Sequence, residues 1–303
     1  MTSTVACPAR AALVGNPSDG YGGAVLAMPI LELEATATIT PARTCTIVAR
    51  DPDLHRLIAA TVAAFTDALG PPPPVAISVT TEIPRSVGLA GSSAIVIAVL
   101  RVLADAIDHV WNEIELAELA LDVEAVRLGI AAGLQDRLVQ AAGRPVLMRF
   151  APVSFAPVAL AADLPLFVAW DPMAAEPSGA VHRPLRQRFE AGESRVVDAM
   201  SELADLAITA GAAITAGRYD AVGRAMDRSF DLRASIVDVG ARQRRLVDSG
   251  RRLGAAVNSA GSGGSVVGLA ADPISLPALA AAYRTIGAEF RRCGVTSGVR
   301  HPG

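Results

Sequence analysis

The residues best suited to chemistry lie in Ile83-Pro84-Arg85-Ser86-Val87-Gly88-Leu89-Ala90-Gly91-Ser92-Ser93-Ala94, between a strand-like and a helix-like apolar run. Gly88 and Gly91 let the backbone turn sharply and approach a ligand closely. Ser92 and Ser93 fall in the first turn of the helix, where unpaired N–H groups and the helix dipole favour an anion. Their hydroxyls can either cap the helix or reach Mg²⁺. Pro84, Gly88, Leu89, Ala90, Gly91, Ser92, Ser93 and Ala94 therefore form a candidate phosphate cradle. A Gly/Ser turn that only caps a buried helix is the plainer reading of the same residues. The chain has 27 basic residues in 303, and every one is arginine. That excludes a phosphate loop with an essential lysine, a protein-kinase lysine and a lysine Schiff base.

Three further groups could serve such a site. Pro8-Ala9-Arg10-Ala11-Ala12-Leu13-Val14-Gly15-Asn16-Pro17-Ser18-Asp19 reads as a strand delivering a polar cluster, Asn16, Ser18 and Asp19, onto a glycine-flanked turn. The cluster suits substrate hydroxyls, and it is equally an ordinary Asx-turn. Ser259-Ala260-Gly261-Ser262-Gly263-Gly264-Ser265 is a glycine-rich turn whose N–H groups can face a phosphate, or a simple hairpin. Glu124 and Asp136 are carboxylates near the middle of the chain, and Asp231 and Arg233 form a helix-borne pair. An acceptor hydroxyl needs a base or a charge partner and Mg²⁺ needs hard oxygens; taken alone, Asp136 is equally a helix N-terminal cap, Glu124 one more solvated helix charge, and Asp231 with Arg233 an ordinary exposed ion pair.

In order and wording these segments resemble the GHMP kinases, the family of galactokinase, homoserine kinase, mevalonate kinase and phosphomevalonate kinase. The family's phosphate loop runs Gly-Leu-Gly-Ser-Ser-Ala; here it is Gly-Leu-Ala-Gly-Ser-Ser-Ala, longer by Ala90. That variant, Asn16-Pro17 in place of Glu-His, Gly133-Leu134-Gln135-Asp136-Arg137 and Phe230-Asp231-Leu232-Arg233 all resemble the glucuronokinase branch. The resemblance implies ATP and Mg²⁺ as cofactors, with the metal on Ser93 and Glu124. It implies Asp136 as the catalytic carboxylate and Arg10, where relatives carry lysine, as the cation at the transferred phosphoryl group. Substrate contacts would come from Asn16, Ser18, Asp19, Arg85, Asp231, Arg233, Gly261, Gly263 and Gly264. The implied reaction is phosphorylation of a sugar or sugar acid, glucuronate to glucuronate 1-phosphate first. A hexose, a heptose phosphate or mevalonate is the alternative acceptor, and a catalytically silent ligand-binding regulator the alternative function.

The elements that must position these residues follow from periodicity. Residues 31–40 alternate strictly, as a half-buried strand does. Strands are expected at 44–50, 75–81, 145–150, 166–170, 255–259 and 265–270. Helices are expected at 54–69, from Asn112 to about Leu128, and at 135–142, 193–216, 218–229, 236–253 and 276–292. The resemblance implies an α+β fold in two lobes, 1–160 and 161–303. The first would be like ribosomal protein S5 domain 2, the second ferredoxin-like with extra helices, and ATP and sugar would meet in the cleft between them.

Composition narrows the partners. With 51% hydrophobic and 19% charged residues and a net charge of −3, the chain is globular and carries no broad nucleic-acid footprint. The apolar stretch Ala94–Leu100 is too short to span a bilayer. Cys7, Cys45 and Cys293 lack metal or redox spacing, which fits a reducing compartment. With neither the basic start nor the long apolar core of a signal peptide, a cytoplasmic location is expected. So are a small-molecule substrate, no nucleic-acid or membrane partner, and room for a homodimer.

Overall fold

The computed structural model describes residues 2–174 and 179–294. In chain order the elements begin with β1 (Ser3–Val14), a 3-10 turn (Ser18–Tyr21), β2 (Ala24–Pro41), β3 (Thr46–Val48), α1 (Pro52–Leu69), β4 (Val75–Thr81) and α2 (Gly91–Asp105). There follow α3 (Glu113–Leu121), a π-helical turn (Asp122–Arg127), α4 (Leu134–Ala142), β5 (Val146–Phe150), β6 (Val153–Pro157) and β7 (Leu166–Trp170). The remainder is α5 (Gly179–Glu190), α6 (Ser194–Thr215), α7 (Tyr219–Ile236), α8 (Gly240–Arg251), β8 (Ala256–Ser259), β9 (Ser265–Leu269), α9 (Leu276–Thr285) and β10 (Glu289–Arg292). Among the described residues no helix is long and apolar enough to cross a membrane.

Two units interleave along the chain. The first holds the described residues of Met1–Ala9, Leu33–Ile83 and Ala90–Gly143. In it, Ala35–Pro41 of β2 pair antiparallel with β4, which pairs in parallel with β3. Helix α1 starts on Asp51, whose carboxylate accepts from the N–H groups of Asp53 and Leu54, with Pro52 preset at the first helical position. Helix α2 is apolar nearly all round and is buried from Ser93 to Leu100, as a central helix must be. Asn112 caps α3 through the N–H of Ile114. The helix expected to run to Leu128 leaves α geometry at Asp122 for the π turn, which adds a residue to the turn and buries both Val123 and Glu124.

The second unit holds the described residues of Arg10–Glu32, Pro84–Leu89 and Arg144–Gly303. Here Ala24–Ala27 of β2 pair antiparallel with β5, and β5 with β6. A separate antiparallel sheet has the order β10-β7-β9-β8. The sequence β7, helices, β8, β9, α9, β10 in that spatial order is the ferredoxin-like arrangement expected of the C-terminal half, with α5, α6 and a second helix of the α7–α8 pair added. The helix expected over 276–292 is corrected: it stops at Thr285, Gly287 follows at φ +76°, and Glu289–Arg292 pair with β7. Phe290 then faces Phe167, with ring centroids 5.0 Å apart, and alternates with exposed Glu289 and Arg291.

The core of this sheet is built around Phe167, fully buried against Tyr283 and Phe290. Gly268 lies opposite, where a Cβ would come within 2.1 Å of the Phe167 ring. A methyl group there must displace a ring that has no free volume to move into. Gly268→Ala should therefore lower unfolding free energy by about 1–3 kcal/mol. Chemical denaturation followed by circular dichroism checks this; an unchanged midpoint would mean that Phe167 is not tightly held.

Candidate active site

In the first unit the chemistry gathers where α2 begins. The peptide enters the helix through Ala90, a left-handed residue at φ +60° and ψ +44°, in place of a side-chain cap. The two serines that follow point to different partners. Ser92 Oγ donates to Glu124 Oε1 at 2.6 Å. Ser93, expected to share a metal with Glu124, is fully buried and its Oγ lies 2.6 Å from Gln140 Oε1 and 3.1 Å from the Ala90 carbonyl. The physical reason is helical geometry: consecutive residues point about 100° apart, so one hydroxyl faces the carboxylate and the next faces the core.

Glu124 is wholly inaccessible in the π turn and is held by charge. Arg137 Nε donates to Glu124 Oε2 at 2.8 Å, and Arg137 Nη2 donates to the same oxygen. Oε1 is left with Ser92 and a spare lone pair. Arg137 Nη1 also reaches the Gly133 carbonyl at 2.7 Å and lies 3.4 Å from Asp136 Oδ2. Asp136 stands in the first turn of α4 with its side chain 21% exposed, so it can meet a ligand. A serine hydroxyl beside a carboxylate is a hard-oxygen pair of the kind Mg²⁺ accepts alongside phosphate and water. Among the described residues no group of three or more His, Cys, Asp or Glu could hold a metal by protein ligands alone. The donor set thus fits a phosphate-bound Mg²⁺.

In the second unit the phosphate loop and the glycine turn touch backbone to backbone. A Cβ at Gly88 would lie 2.8 Å from the Gly263 carbonyl, and one at Gly261 would lie 2.1 Å from that of Gly88. Only glycine permits this approach. Two arginines then hold the turn by its carbonyls. Arg10, 4% exposed on β1, donates through Nη1 to the carbonyls of Gly88 and Ala260, both at 2.9 Å. Arg233, on α7 and 5% exposed, gives Nη1 to the Gly261 carbonyl at 2.5 Å and Nη2 to that of Ser262 at 2.7 Å. Gln243 of α8 finishes the frame, accepting from the Gly264 N–H and donating to the Ser259 hydroxyl and the Ser265 carbonyl. With the carbonyls drawn toward guanidinium groups, a turn of this kind presents its N–H groups as an anion nest.

Other substrate expectations separate on the same geometry. Asn16 Oδ1 accepts from Arg233 Nη1 at 3.2 Å, and Asp19 is near enough for its charge to act on Arg233. Burial, with the like charge of Arg10, draws the Arg233 guanidinium down to about 10 against the pull of Asp19, so it stays protonated at neutral pH. Ser18 turns inward instead: it is fully buried and donates to the Ala24 carbonyl. Asp231, two residues before Arg233, faces about 200° away on the helix and pairs with Arg251 at 2.8 Å on an exposed surface. Arg85 is exposed on the phosphate loop. Arg137, Gln140 and Gln243 were not singled out by sequence. The first two lie two and five residues after Gln135, on a short helix whose polar residues are mostly buried, and no motif of the sequence marks them.

Comparison with known proteins identifies the family. Residues 56–144 match the GHMP kinases N terminal domain, and residues 210–289 match GHMP kinases C terminal. Probable glucuronokinase 2 of Arabidopsis thaliana is 35% identical over 208 residues, covering 63% of this chain and 56% of that protein. Glucuronokinase 1 of the same plant is 34% identical over 206 residues with the same coverage. The chain thus spans little more than half the length of the curated relatives it matches. Among solved structures, Lactococcus lactis galactokinase complexed with galactose superposes with a TM-score of 0.83 at 17% identity, over 98% of this chain and 94% of that one. Two domain models in the right order, an α+β fold shared end to end and the segments described above lead to one assignment: the chain belongs to the GHMP kinase family.

Proposed function

We propose that the chain is an ATP-dependent sugar kinase whose acceptor is a uronic acid, glucuronate first, phosphorylated at its anomeric hydroxyl. The observation that carries the kinase reading is the Ser92–Glu124 hydrogen bond at the start of α2, directly after the glycine loop. It sets a hydroxyl and a carboxylate where phosphate oxygens held by the helix N-terminus would share a cation with them. Ser92 and Glu124 would hold Mg²⁺, which supplies charge neutralisation on the β- and γ-phosphate oxygens. In the second unit the Gly261–Gly263 turn beside Gly88 would take phosphate oxygens through peptide N–H groups, with Arg10 and Arg233 as fixed positive charge behind the turn; in the first unit the first turn of α2 would do the same. Asp136 takes the proton of the acceptor hydroxyl as that oxygen bonds to the γ-phosphorus and ADP leaves. Free Cys7, Cys45 and Cys293 suit a reducing cytoplasm.

The separate environments of the two serines make a direct test. Ser92→Ala should raise the Mg²⁺ concentration needed for half-maximal ADP release by about tenfold or more. Ser93→Ala should leave that titration within twofold of the parent, while lowering thermal stability by stranding Gln140 Oε1. Coincident Mg²⁺ curves for Ser92→Ala and the parent would remove Ser92 from the metal.

Similarity to two glucuronokinases supports the acid acceptor. A substrate carboxylate needs a cation, and Arg233 has both terminal nitrogens on carbonyl oxygens. Arg85, exposed on the loop, is the cation to test first. A charged hydrogen bond contributes roughly 1.5–3 kcal/mol, so glucuronate should exceed glucose in kcat/KM by about one to two powers of ten. Arg85→Ala should erase most of that preference and leave the glucose rate near the parent's. Equal efficiencies on acid and aldose in the parent would reject the uronate while leaving the kinase.

A further inference from the structure

The chain enters α2 through Ala90, which has the left-handed backbone that non-glycine residues adopt at a cost. Something must over-determine that conformation. Gln140 of α4 does. It is fully buried, and its Nε2 donates to the carbonyls of Ala90 at 3.0 Å and Pro8 at 2.9 Å. Its Oε1 lies 2.6 Å from Ser93 Oγ. Both amide hydrogens and the amide oxygen are thereby used, which fixes the orientation of the amide group without ambiguity. The Ala90 carbonyl also accepts from the Ala94 N–H at 3.2 Å, so the left-handed residue is tied to the helix it opens.

Gln140 stands four residues after Asp136 on the same helix, one turn along the same face. Arg137, between them, holds Glu124. We infer that Gln140 is a positioning residue that locks the entry to α2, at Ala90 and Ser93, to α4, and so sets Ser92 and the N–H groups of the first turn of α2 in register with Asp136. The catalytic consequence rests on the kinase reading; the ordering of the loop does not. Gln140 touches no substrate in this account. It acts through Ala90 and Ser93, and its loss should be felt by the nucleotide before the acceptor.

Two variants separate the possibilities. Gln140→Glu is nearly isosteric and keeps an acceptor for Ser93 but removes both donated bonds; Gln140→Leu removes all three. Amide hydrogen exchange across 86–94 should quicken about tenfold or more in each, while β7 and β9 exchange within twofold of the parent. ATP KM should rise about tenfold with the acceptor KM within twofold, a split that general destabilisation would not give. Exchange at 86–94 unchanged in Gln140→Glu overturns the inference, and so does exchange that quickens equally in β7 and β9. If Gln140→Leu fails to fold, Gln140→Glu decides alone. A parent that consumes no ATP fails the kinase reading only, because the exchange comparison still decides whether Gln140 orders the loop.

Discussion

A carboxylate with no access to water cannot remain charged without partners, and Glu124 is such a group. Arg137 meets it with two N–H groups and Ser92 with a hydroxyl. This one cluster fixes the first turn of α2, the π turn and α4 against one another, since each contributes a member. Breaking a buried pair by removing one partner costs about 3–5 kcal/mol, far more than a surface pair is worth. The arrangement is therefore rigid where a phosphate site needs rigidity. It also leaves one oxygen of Glu124 beside a half-buried serine, and that is the only part of the cluster in a position to exchange a protein partner for a cation.

Absence of lysine imposes the second constraint. A flexible ammonium group can follow a phosphate, whereas a guanidinium group is a planar fork that must be built into place. In the second unit that fork is turned on the protein itself. Arg10 and Arg233 take the carbonyls of Gly88, Ala260, Gly261 and Ser262, and so hold a glycine turn fixed with positive charge behind it. Arg233 tolerates burial beside Arg10 because each guanidinium is hydrogen-bonded to carbonyl oxygens and Asp19 lies within electrostatic reach.

Much of this was legible in the sequence, for identifiable reasons. The glycine-bearing loop, the helix it opens and the glycine turn were readable because each needs particular residues at fixed spacing, and Gly88 and Gly261 are held to glycine by contacts under 3 Å. The alternating strands were readable by their period of two. Strand β10 was not separated from α9, because four residues give too little periodicity to oppose a preceding helix. The division of labour between Ser92 and Ser93 was invisible, since adjacent identical residues differ only in which way the helix turns them. Asp231 and Arg233 looked like a pair in sequence, and helical geometry sent them to opposite faces. Gln140 carries no motif of its own; only the three bonds made by its amide reveal it.

Phosphoryl transfer with Asp136 as the proton acceptor is the step that the proposed kinase depends on. Single-turnover phosphorylation of glucuronate by the parent and by Asp136→Asn, followed by ³¹P NMR alongside an ATP-binding titration, tests it most directly. The account predicts a rate lowered by about two orders of magnitude or more, the scale of losing a positioned base, with ATP affinity within twofold. A variant that transfers phosphate within threefold of the parent rate would contradict it.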